Sequence, residues 1–319
     1  MRIIFMGTSD FSVISLERLY KSQDLEISAV VTQADKPRGR GQKLQPTPVK
    51  RKAVDLGIKV LQSKNVNQTA FLQELEDMDP DFIVVVAFGQ KLSKELLEIP
   101  EYGCINLHAS LLPEYRGAAP IHQAIIDGRE YTGVTTMYMA EGWDTGDMIY
   151  KEKVKINPED TVGILHDKLA EIGADLLVKT LRDIEKGIAP RVEQDHDQAS
   201  YASKINKSTG EVDWNMKSED IYNLVRGVNP WPGAYTYLDG DLLKIWKVSI
   251  NTVDTDKDDN KIGQIEPGRV VKADSEDGLI VKTSDGLVEI EVLQMAGRKS
   301  MSAKDFLHGY TIDKGTVMG

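Results

Sequence analysis

Residues 81–89 read DFIVVVAFG, an apolar run with no polar side chain between Asp81 and Gly89. A strand that is apolar at consecutive positions is covered on both faces, which is typical of parallel sheets flanked by helices. Other short apolar runs alternate with segments of helical periodicity around it, at residues 2–6, 11–21, 26–32, 49–56, 59–62, 69–76, 103–108 and 133–139. This alternation predicts an N-terminal Rossmann-like, doubly wound α/β sheet.

The pattern changes after a long helix, which is predicted from Val162 to about Lys186 and ends at Gly187. Residues 189–206 show little periodicity, so we predict that they link two domains. Beyond them, a helix at 218–228 precedes short alternating strands. Tight hairpins are predicted at three Asp-Gly pairs, 239–240, 277–278 and 285–286. The predicted domains are therefore an α/β domain at 1–188 and a small OB-like β-barrel at 207–319.

The composition is that of an ordinary soluble globular chain, with 41% hydrophobic and 28% charged residues among 319. Cys104 is the only cysteine, which excludes an internal disulfide, and its apolar neighbours predict a buried thiol. No apolar run is long enough to span a bilayer and the N-terminus lacks a signal-peptide core, so we expect a cytoplasmic protein. The five histidines are not spaced as metal ligands, and no bound metal is expected.

The formal net charge of −11 disfavours nucleic-acid binding, because phosphate contacts require cations. The charges are uneven, however, since the segment between Asp35 and Asp55 contains cations and no acid: Lys36, Arg38, Arg40, Lys43, Lys50, Arg51 and Lys52. Such a run is most often a solvated loop. The alternative is a local phosphate-binding surface whose field outweighs the total charge.

The usual nucleotide-binding motifs do not occur in the sequence. Gly7 follows the first predicted strand, but GTSDFS (7–12) lacks the further glycines of the dinucleotide motif, and there is no GxxxxGK[ST] loop. Asn106 and His108 are a better candidate, because they lie two residues apart at the end of a predicted strand and share one face of the sheet. Taken alone, such a pair is more often a structural cap than a catalytic pair.

The residues that follow this pair bear on the choice between a structural cap and a catalytic pair. NLHASLLPEYRGAAP (106–120) is followed by WDTGD (143–147), and this spaced signature resembles the folate-dependent formyltransferases, in particular the branch that acts on methionyl-tRNA. Three further segments resemble the same family in the same order, at residues 32–50, 226–235 and 293–309. GTSDFS (7–12) and AFGQ (87–90) differ from the usual family spelling at positions where the backbone defines the site.

The resemblance implies an enzyme that transfers the formyl group of 10-formyltetrahydrofolate, a consumed co-substrate, to the α-amino group of methionyl-initiator tRNA. It implies that Asn106, His108 and Asp144 are the catalytic residues. For the folate it points to Ser110, Leu111, Leu112, Pro113, Phe88, Gly89 and Gln90. For the tRNA it points to Arg38, Arg40 and Lys43. It implies neither a membrane nor an obligate protein partner.

The three implied catalytic residues suit acyl transfer to an amine. Asn106 can donate a hydrogen bond to a developing oxyanion, protonated His108 adds a charge-assisted donor, and Asp144 would stabilise that proton by its charge. Asp147 is the rival carboxylate, although its place at the head of the next strand suggests a structural cap. Arg116 fits either a salt bridge or a phosphate contact. Two other functions stay open: formyl transfer to a small amine, such as a glycinamide or amino-sugar nucleotide, and non-catalytic tRNA binding.

Overall fold

The computed structural model describes residues 1–38, 41, 43–251 and 264–319, and for Arg38 it describes the backbone alone. The helices are α1 Asp10–Tyr20, α2 Pro48–Asp55, α3 Thr69–Glu76, α4 Lys94–Leu97, α5 Pro120–Ile126, α6 Val162–Glu185, α7 Ser218–Gly227 and α8 Ala303–Gly309. The strands are β1 Arg2–Gly7, β2 Glu26–Thr32, β3 Lys36–Arg38, β4 Lys43–Gln45, β5 Val60–Gln62, β6 Phe82–Val86, β7 Cys104–His108, β8 Arg116–Gly117, β9 Tyr131–Tyr138, β10 Met148–Lys155, β11 Tyr201–Ala202, β12 Ala234–Leu238, β13 Asp241–Asn251, β14 Val270–Asp274, β15 Gly278–Lys282, β16 Leu287–Met295 and β17 Met301–Ser302.

The chain forms two compact units that interleave along the sequence. The first unit comprises residues 1–120, 131–155 and 166–202, and the second comprises residues 121–130, 156–165 and 203–319. Residues 189–202, which the sequence predicts as part of a linker, thus belong to the first unit. None of the helices in the described ranges is both long and apolar enough to cross a membrane.

The described strands of the first unit form a seven-stranded sheet in the order β10-β9-β7-β6-β1-β2-β5. The strands from β7 to β5 pair in parallel, whereas β9 is antiparallel to β7 and β10 is antiparallel to β9. Every residue of β6 is buried, as its unbroken apolar run predicts for a central strand covered on both faces. The predicted doubly wound α/β sheet is therefore confirmed.

The second unit is built around an antiparallel sheet in the order β12-β13-β16-β15-β14, with β17 paired to β16. The three predicted Asp-Gly turns join β12 to β13, β14 to β15 and β15 to β16. Asp285, in the last of these turns, also accepts hydrogen bonds at the start of α7, from the backbone N–H of Ser218 at 2.8 Å and from its hydroxyl at 3.1 Å. The predicted C-terminal β domain is confirmed, and its acidic segment at 254–259 lies outside the described residues.

Cys104 lies at the start of β7 and is 3% exposed. Burial raises the pKa of its thiol far above the ordinary range, since the thiolate would lose its hydration. The thiolate is the species that alkylating reagents attack. We therefore expect iodoacetamide at pH 8 to label the folded protein at least about 100-fold more slowly than the urea-unfolded protein. Similar rates measured by mass spectrometry would show that this end of β7 opens readily.

Candidate active site

Three polar side chains converge over one face of β7. Asn106 and His108 are separated by one residue in this strand, so their side chains project from the same face of the sheet. Both are deeply buried, at 8% and 6% exposure. The third side chain, Asp144, lies between β9 and β10, and its Oδ1 atom is 3.4 Å from Asn106 Nδ2 and 3.7 Å from His108 Nδ1.

The antiparallel direction of β9 explains how Asp144 reaches this face. Tyr138, at the end of β9, pairs with Ile105 near the start of β7. The following loop must therefore turn back along β7 to approach Asn106 and His108. Asp144 has a left-handed backbone conformation, with φ of +53°, which aspartate tolerates better than most residues. The reversal of the loop thus depends on a residue that also supplies the carboxylate.

The orientation of the His108 ring is fixed by a backbone carbonyl. His108 Nε2 lies 2.9 Å from the carbonyl oxygen of Tyr115, and that oxygen can only accept a hydrogen bond. Nε2 therefore carries a proton, and Nδ1 is the nitrogen on the side of Asp144. A protonated ring would donate from Nδ1 as well, so that a charged donor would stand beside the Asn106 amide.

The Asp144 carboxylate is held from two directions. Its Oδ2 atom accepts the backbone N–H of Gly117 at 2.8 Å, and its Oδ1 atom accepts from the Asn106 amide. The side chain is only 14% exposed, so solvent screens the group weakly. Asp147 differs, because its Oδ2 atom pairs with Arg191 Nε at 2.6 Å and its side chain is 30% exposed. Asp144 is therefore the carboxylate that the fold brings to Asn106 and His108.

The folate-binding candidates lie on two segments that leave the same edge of the sheet. β6 and β7 are parallel neighbours, so residues 88–90 and 110–113 both follow carboxyl ends of strands, where ligands bind in open α/β sheets. Thr135 restrains the second segment through its hydroxyl group. The hydroxyl donates to the Ser110 carbonyl at 2.7 Å and accepts from the Leu112 N–H at 3.2 Å.

Most side chains of these candidates have partners inside the protein. Phe88 and Leu112 are buried in apolar clusters, and the Ser110 hydroxyl donates to the Glu114 carbonyl at 2.6 Å. The Gln90 amide accepts from the Val66 N–H at 3.2 Å and also donates to a backbone carbonyl. The two segments therefore offer a ligand chiefly backbone groups and the half-buried side chains of Leu111 and Pro113.

Two of the predicted tRNA-binding residues, Arg38 and Lys43, lie in a short hairpin formed by β3 and β4. Arg38 and Lys43 pair across its ladder. Lys43 is exposed, and the next residue, Leu44, is 71% exposed. Arg40 lies outside the described residues.

The neighbouring cations are partly neutralised by acids that the sequence does not place beside them. Lys50 Nζ lies 2.8 Å from Asp35, and this hydrogen bond holds the pKa of the Asp35 carboxyl below its ordinary value. Lys52 Nζ lies 2.6 Å from Glu17 on α1. Lys50 and Lys52, in the second part of residues 36–52, are thus each paired with a carboxylate.

Two residues that the sequence does not assign to the site surround the Asp144 loop. Arg116 is 2% exposed, so it cannot contact a phosphate at the surface, and its guanidinium donates to Gln194 Oε1. Gln194, at 3% exposure, donates to the backbone of the loop. Gln194 lies in an aperiodic segment, where no sequence pattern indicates a buried side chain. No group of three or more His, Cys, Asp or Glu side chains in the described ranges could hold a metal ion, and metal independence stays a prediction.

Comparisons with known proteins cover both units. A family model described as Formyl transferase matches residues 1–181, and one described as Formyl transferase, C-terminal domain, matches residues 204–311. The chain is 61% identical to the methionyl-tRNA formyltransferase of Halothermothrix orenii and 48% identical to that of Clostridioides difficile, in each case over the whole of both chains. In fold it is similar to an N-formyltransferase from Helicobacter canadensis, with a TM-score of 0.66, 20% identity and coverage of 92% of this chain and 98% of the other.

Proposed function

Because the chain belongs to the formyl transferase family over both of its domains, we propose that it transfers the formyl group of 10-formyltetrahydrofolate to the α-amino group of methionyl-initiator tRNA. Relatives that match it from end to end are methionyl-tRNA formyltransferases. One geometric observation carries the proposal: a single carboxylate oxygen, Asp144 Oδ1, lies within 3.7 Å of both Asn106 Nδ2 and His108 Nδ1. The reaction takes place in the cytoplasm, where translation begins.

The transfer forms one C–N bond and breaks another. The neutral amine nitrogen attacks the formyl carbon, whose oxygen becomes an oxyanion. Collapse of this intermediate breaks the bond to the folate nitrogen, which takes up a proton while the amine loses one. An α-amino group titrates near pH ~8, so a useful neutral fraction exists at neutral pH without a strong base.

The three side chains divide this work by their chemistry. The Asn106 amide and the protonated His108 Nδ1 donate to the oxyanion, which is the charge that develops in the transition state. Asp144 stabilises the imidazolium and accepts the amine proton through water. Because Gly117 and Tyr115 hold Asp144 and His108 in place, the donors need little rearrangement when the charge develops.

The folate is recognised mainly by main-chain groups of residues 88–90 and 110–113. Their side chains largely have internal partners, so the backbone presents the donors and acceptors, while Leu111 and Pro113 contact the flat heterocycle. For the tRNA we propose the hairpin of β3 and β4, with Arg38, Arg40 and Lys43 facing phosphate. A concentrated set of cations is what an acidic protein needs to hold a polyanion.

A formyl-transfer assay with several acceptors tests the proposal. The protein is incubated with 10-formyltetrahydrofolate and either methionyl-initiator tRNA, methionyl-elongator tRNA, glycinamide ribonucleotide or an amino-sugar nucleotide. We expect formylated product on the initiator tRNA. Transfer to a small amine alone would overturn the acceptor assignment, and tRNA binding without transfer to any acceptor would overturn the enzymatic function.

The proposed role of the hairpin predicts a change in salt dependence. When tRNA binds, each phosphate-contacting cation displaces counterions from the tRNA. Binding to Lys43→Ala therefore releases fewer counterions, so this variant should bind tRNA more weakly, and the slope of log affinity against log salt concentration should be smaller by about one unit. Arg40→Ala should behave in the same way. Folate affinity should stay unchanged. The measurement is tRNA binding titrated over a range of salt concentrations.

Lys59→Ala is the matched control for this experiment. Lys59 is half exposed and precedes β5, so it lies at the amino edge of the sheet, whereas the hairpin follows the carboxyl end of β2. The control should keep the parental slope. If Lys43→Ala and Arg40→Ala also keep it, the hairpin is a solvated surface element and the tRNA is bound elsewhere.

A further inference from the structure

The Gln194 side chain uses both of its amide hydrogens on the loop that presents Asp144. Its Nε2 atom donates to the carbonyl oxygen of Asp144 at 2.8 Å and to that of Gly146 at 2.7 Å. These two carbonyls flank Thr145, so the amide spans the turn of the loop. The side chain is buried at 3% exposure, where water would not readily replace a lost donor.

Arg116 determines which way the Gln194 amide points. Its Nε and Nη2 atoms donate to Gln194 Oε1 at 3.1 and 2.7 Å. A guanidinium can only donate, so the amide oxygen must face Arg116 and the NH2 group must face the loop. If the Gln194 amide were flipped, its NH2 group would face the Arg116 donors and its oxygen would face the carbonyl oxygens of Asp144 and Gly146.

The second contact of Arg116 completes this arrangement. Its Nη2 atom also lies 2.9 Å from His196 Nδ1 and can donate a hydrogen bond to it. Gly117, the next residue in the chain, donates its N–H to the Asp144 carboxylate at 2.8 Å. The two residues of the short strand β8 thus both restrain Asp144. Gly117 binds its carboxylate directly, and Arg116 acts on its backbone through Gln194.

We propose that Gln194, oriented by Arg116, is a positioning residue that sets the Asp144 carboxylate against Asn106 and His108. The inference rests on the proposed function for its catalytic consequence. Asp144 occupies a left-handed conformation, which is sparsely populated for residues other than glycine and persists only where its surroundings hold it. The two hydrogen bonds from Gln194 supply that restraint on the backbone itself.

The substitution Gln194→Glu removes the hydrogen bonds to the loop while it keeps the packing of the side chain. A glutamate has the same size and still accepts from Arg116, but it has no hydrogens for the loop and places an oxygen against two carbonyl oxygens. We expect kcat to fall by roughly 100-fold, which is the scale of a small misplacement of a catalytic group. KM for folate and for tRNA should change by less than about threefold, since the hydrogen bonds of Gln194 go to Arg116 and the Asp144 loop and not to the residues proposed to bind folate or tRNA.

Hydrogen exchange at the Gly117 amide gives a readout that does not require activity. When the loop shifts, this N–H loses its carboxylate acceptor, so its exchange in Gln194→Glu should become at least about tenfold faster. Amides of β1 should keep their parental protection. Faster exchange throughout the first unit, with parental kcat per folded molecule, would assign Gln194 a purely structural role and overturn the proposal.

Gln198→Glu is the matched control, because Gln198 is exposed four residues later in the same segment and contacts Asp195 instead of the loop. This variant should keep the kcat of the unsubstituted protein.

Arg116→Gln is a second variant, which leaves the Gln194 amide without a fixed orientation and should lower kcat by about tenfold. Parental kcat and Gly117 exchange in Arg116→Gln would overturn the proposal even if Gln194→Glu fails to fold. If the unsubstituted protein has no transferase activity, the proposed function is wrong. The hydrogen-exchange measurement would still test whether Gln194 positions Asp144.

Discussion

Asp144→Asn is expected to lower kcat by roughly 100-fold or more, comparable with the loss of an oxyanion-hole donor. The substitution keeps the shape of the side chain, and asparagine tolerates the left-handed backbone at this position. It removes the negative charge 3.7 Å from His108 Nδ1, so the ring, when protonated for the reaction as proposed, would lose its anionic partner. Folate affinity should change far less, because the segments proposed to bind folate follow the ends of other strands, β6 and β7. Single-turnover kinetics with saturating folate and tRNA would measure the chemical step.

Asp147→Asn provides a matched control for this prediction. The two aspartates are three residues apart, yet Asp147 pairs with Arg191 at the surface and should tolerate the same change with nearly parental kcat. His108→Asn and Asn106→Ala should each resemble Asp144→Asn, and double variants should lose little more, because the three groups share one transition state. Loss of activity in Asp147→Asn together with normal turnover in Asp144→Asn would reverse the assignment.

Gly146→Ala should have an effect of similar size for a steric reason. A Cβ atom at Gly146 would overlap the carbonyl oxygen of Tyr138, a backbone atom that cannot rotate away. The loop must move to relieve this contact, and Asp144 moves with it. We expect kcat to fall by about 100-fold and the melting temperature to fall by several degrees.

Gly309→Ala is the control for the added methyl group. A Cβ atom there meets open space, and the backbone has an ordinary φ, so both kcat and the melting temperature should be parental. If Gly146→Ala matches this control, the loop adapts without cost, and the glycine of the WDTGD motif has another purpose.

Local patterns were sufficient to predict most of the framework. The bounds of α3, Thr69–Glu76, coincide with the prediction, because apolar periodicity and its ends are properties of the segment itself. The Asp-Gly turns were equally predictable, since a tight hairpin needs residues that tolerate positive φ, as Asp239 shows. The sequence does not predict the hairpin of β3 and β4, because strands of three residues each are too short to show alternation.

The candidate site shows where sequence reasoning stops. The spacing of Asn106 and His108 alone places them on one face of a strand, whereas only the family signature points to Asp144. The contact between Arg116 and Gln194 joins positions 78 residues apart and arises only from the tertiary fold, so the sequence does not pair them. The assignment of catalytic, folate-binding and tRNA-binding roles stays a prediction that the substitutions above test.

The interleaving of the two units has a consequence for synthesis on the ribosome. Residues 121–130 and 156–165 belong to the second unit but leave the exit tunnel with the first. Their partners among residues 203–319 follow later, and at ~5–20 residues per second the remaining chain takes roughly 10–30 s. During that interval the carbonyl of Pro158 lacks the Tyr222 hydroxyl, which donates a hydrogen bond to it in the folded protein. No single cut in the gene separates the units, so a chimaera that exchanges the second unit must transplant three segments.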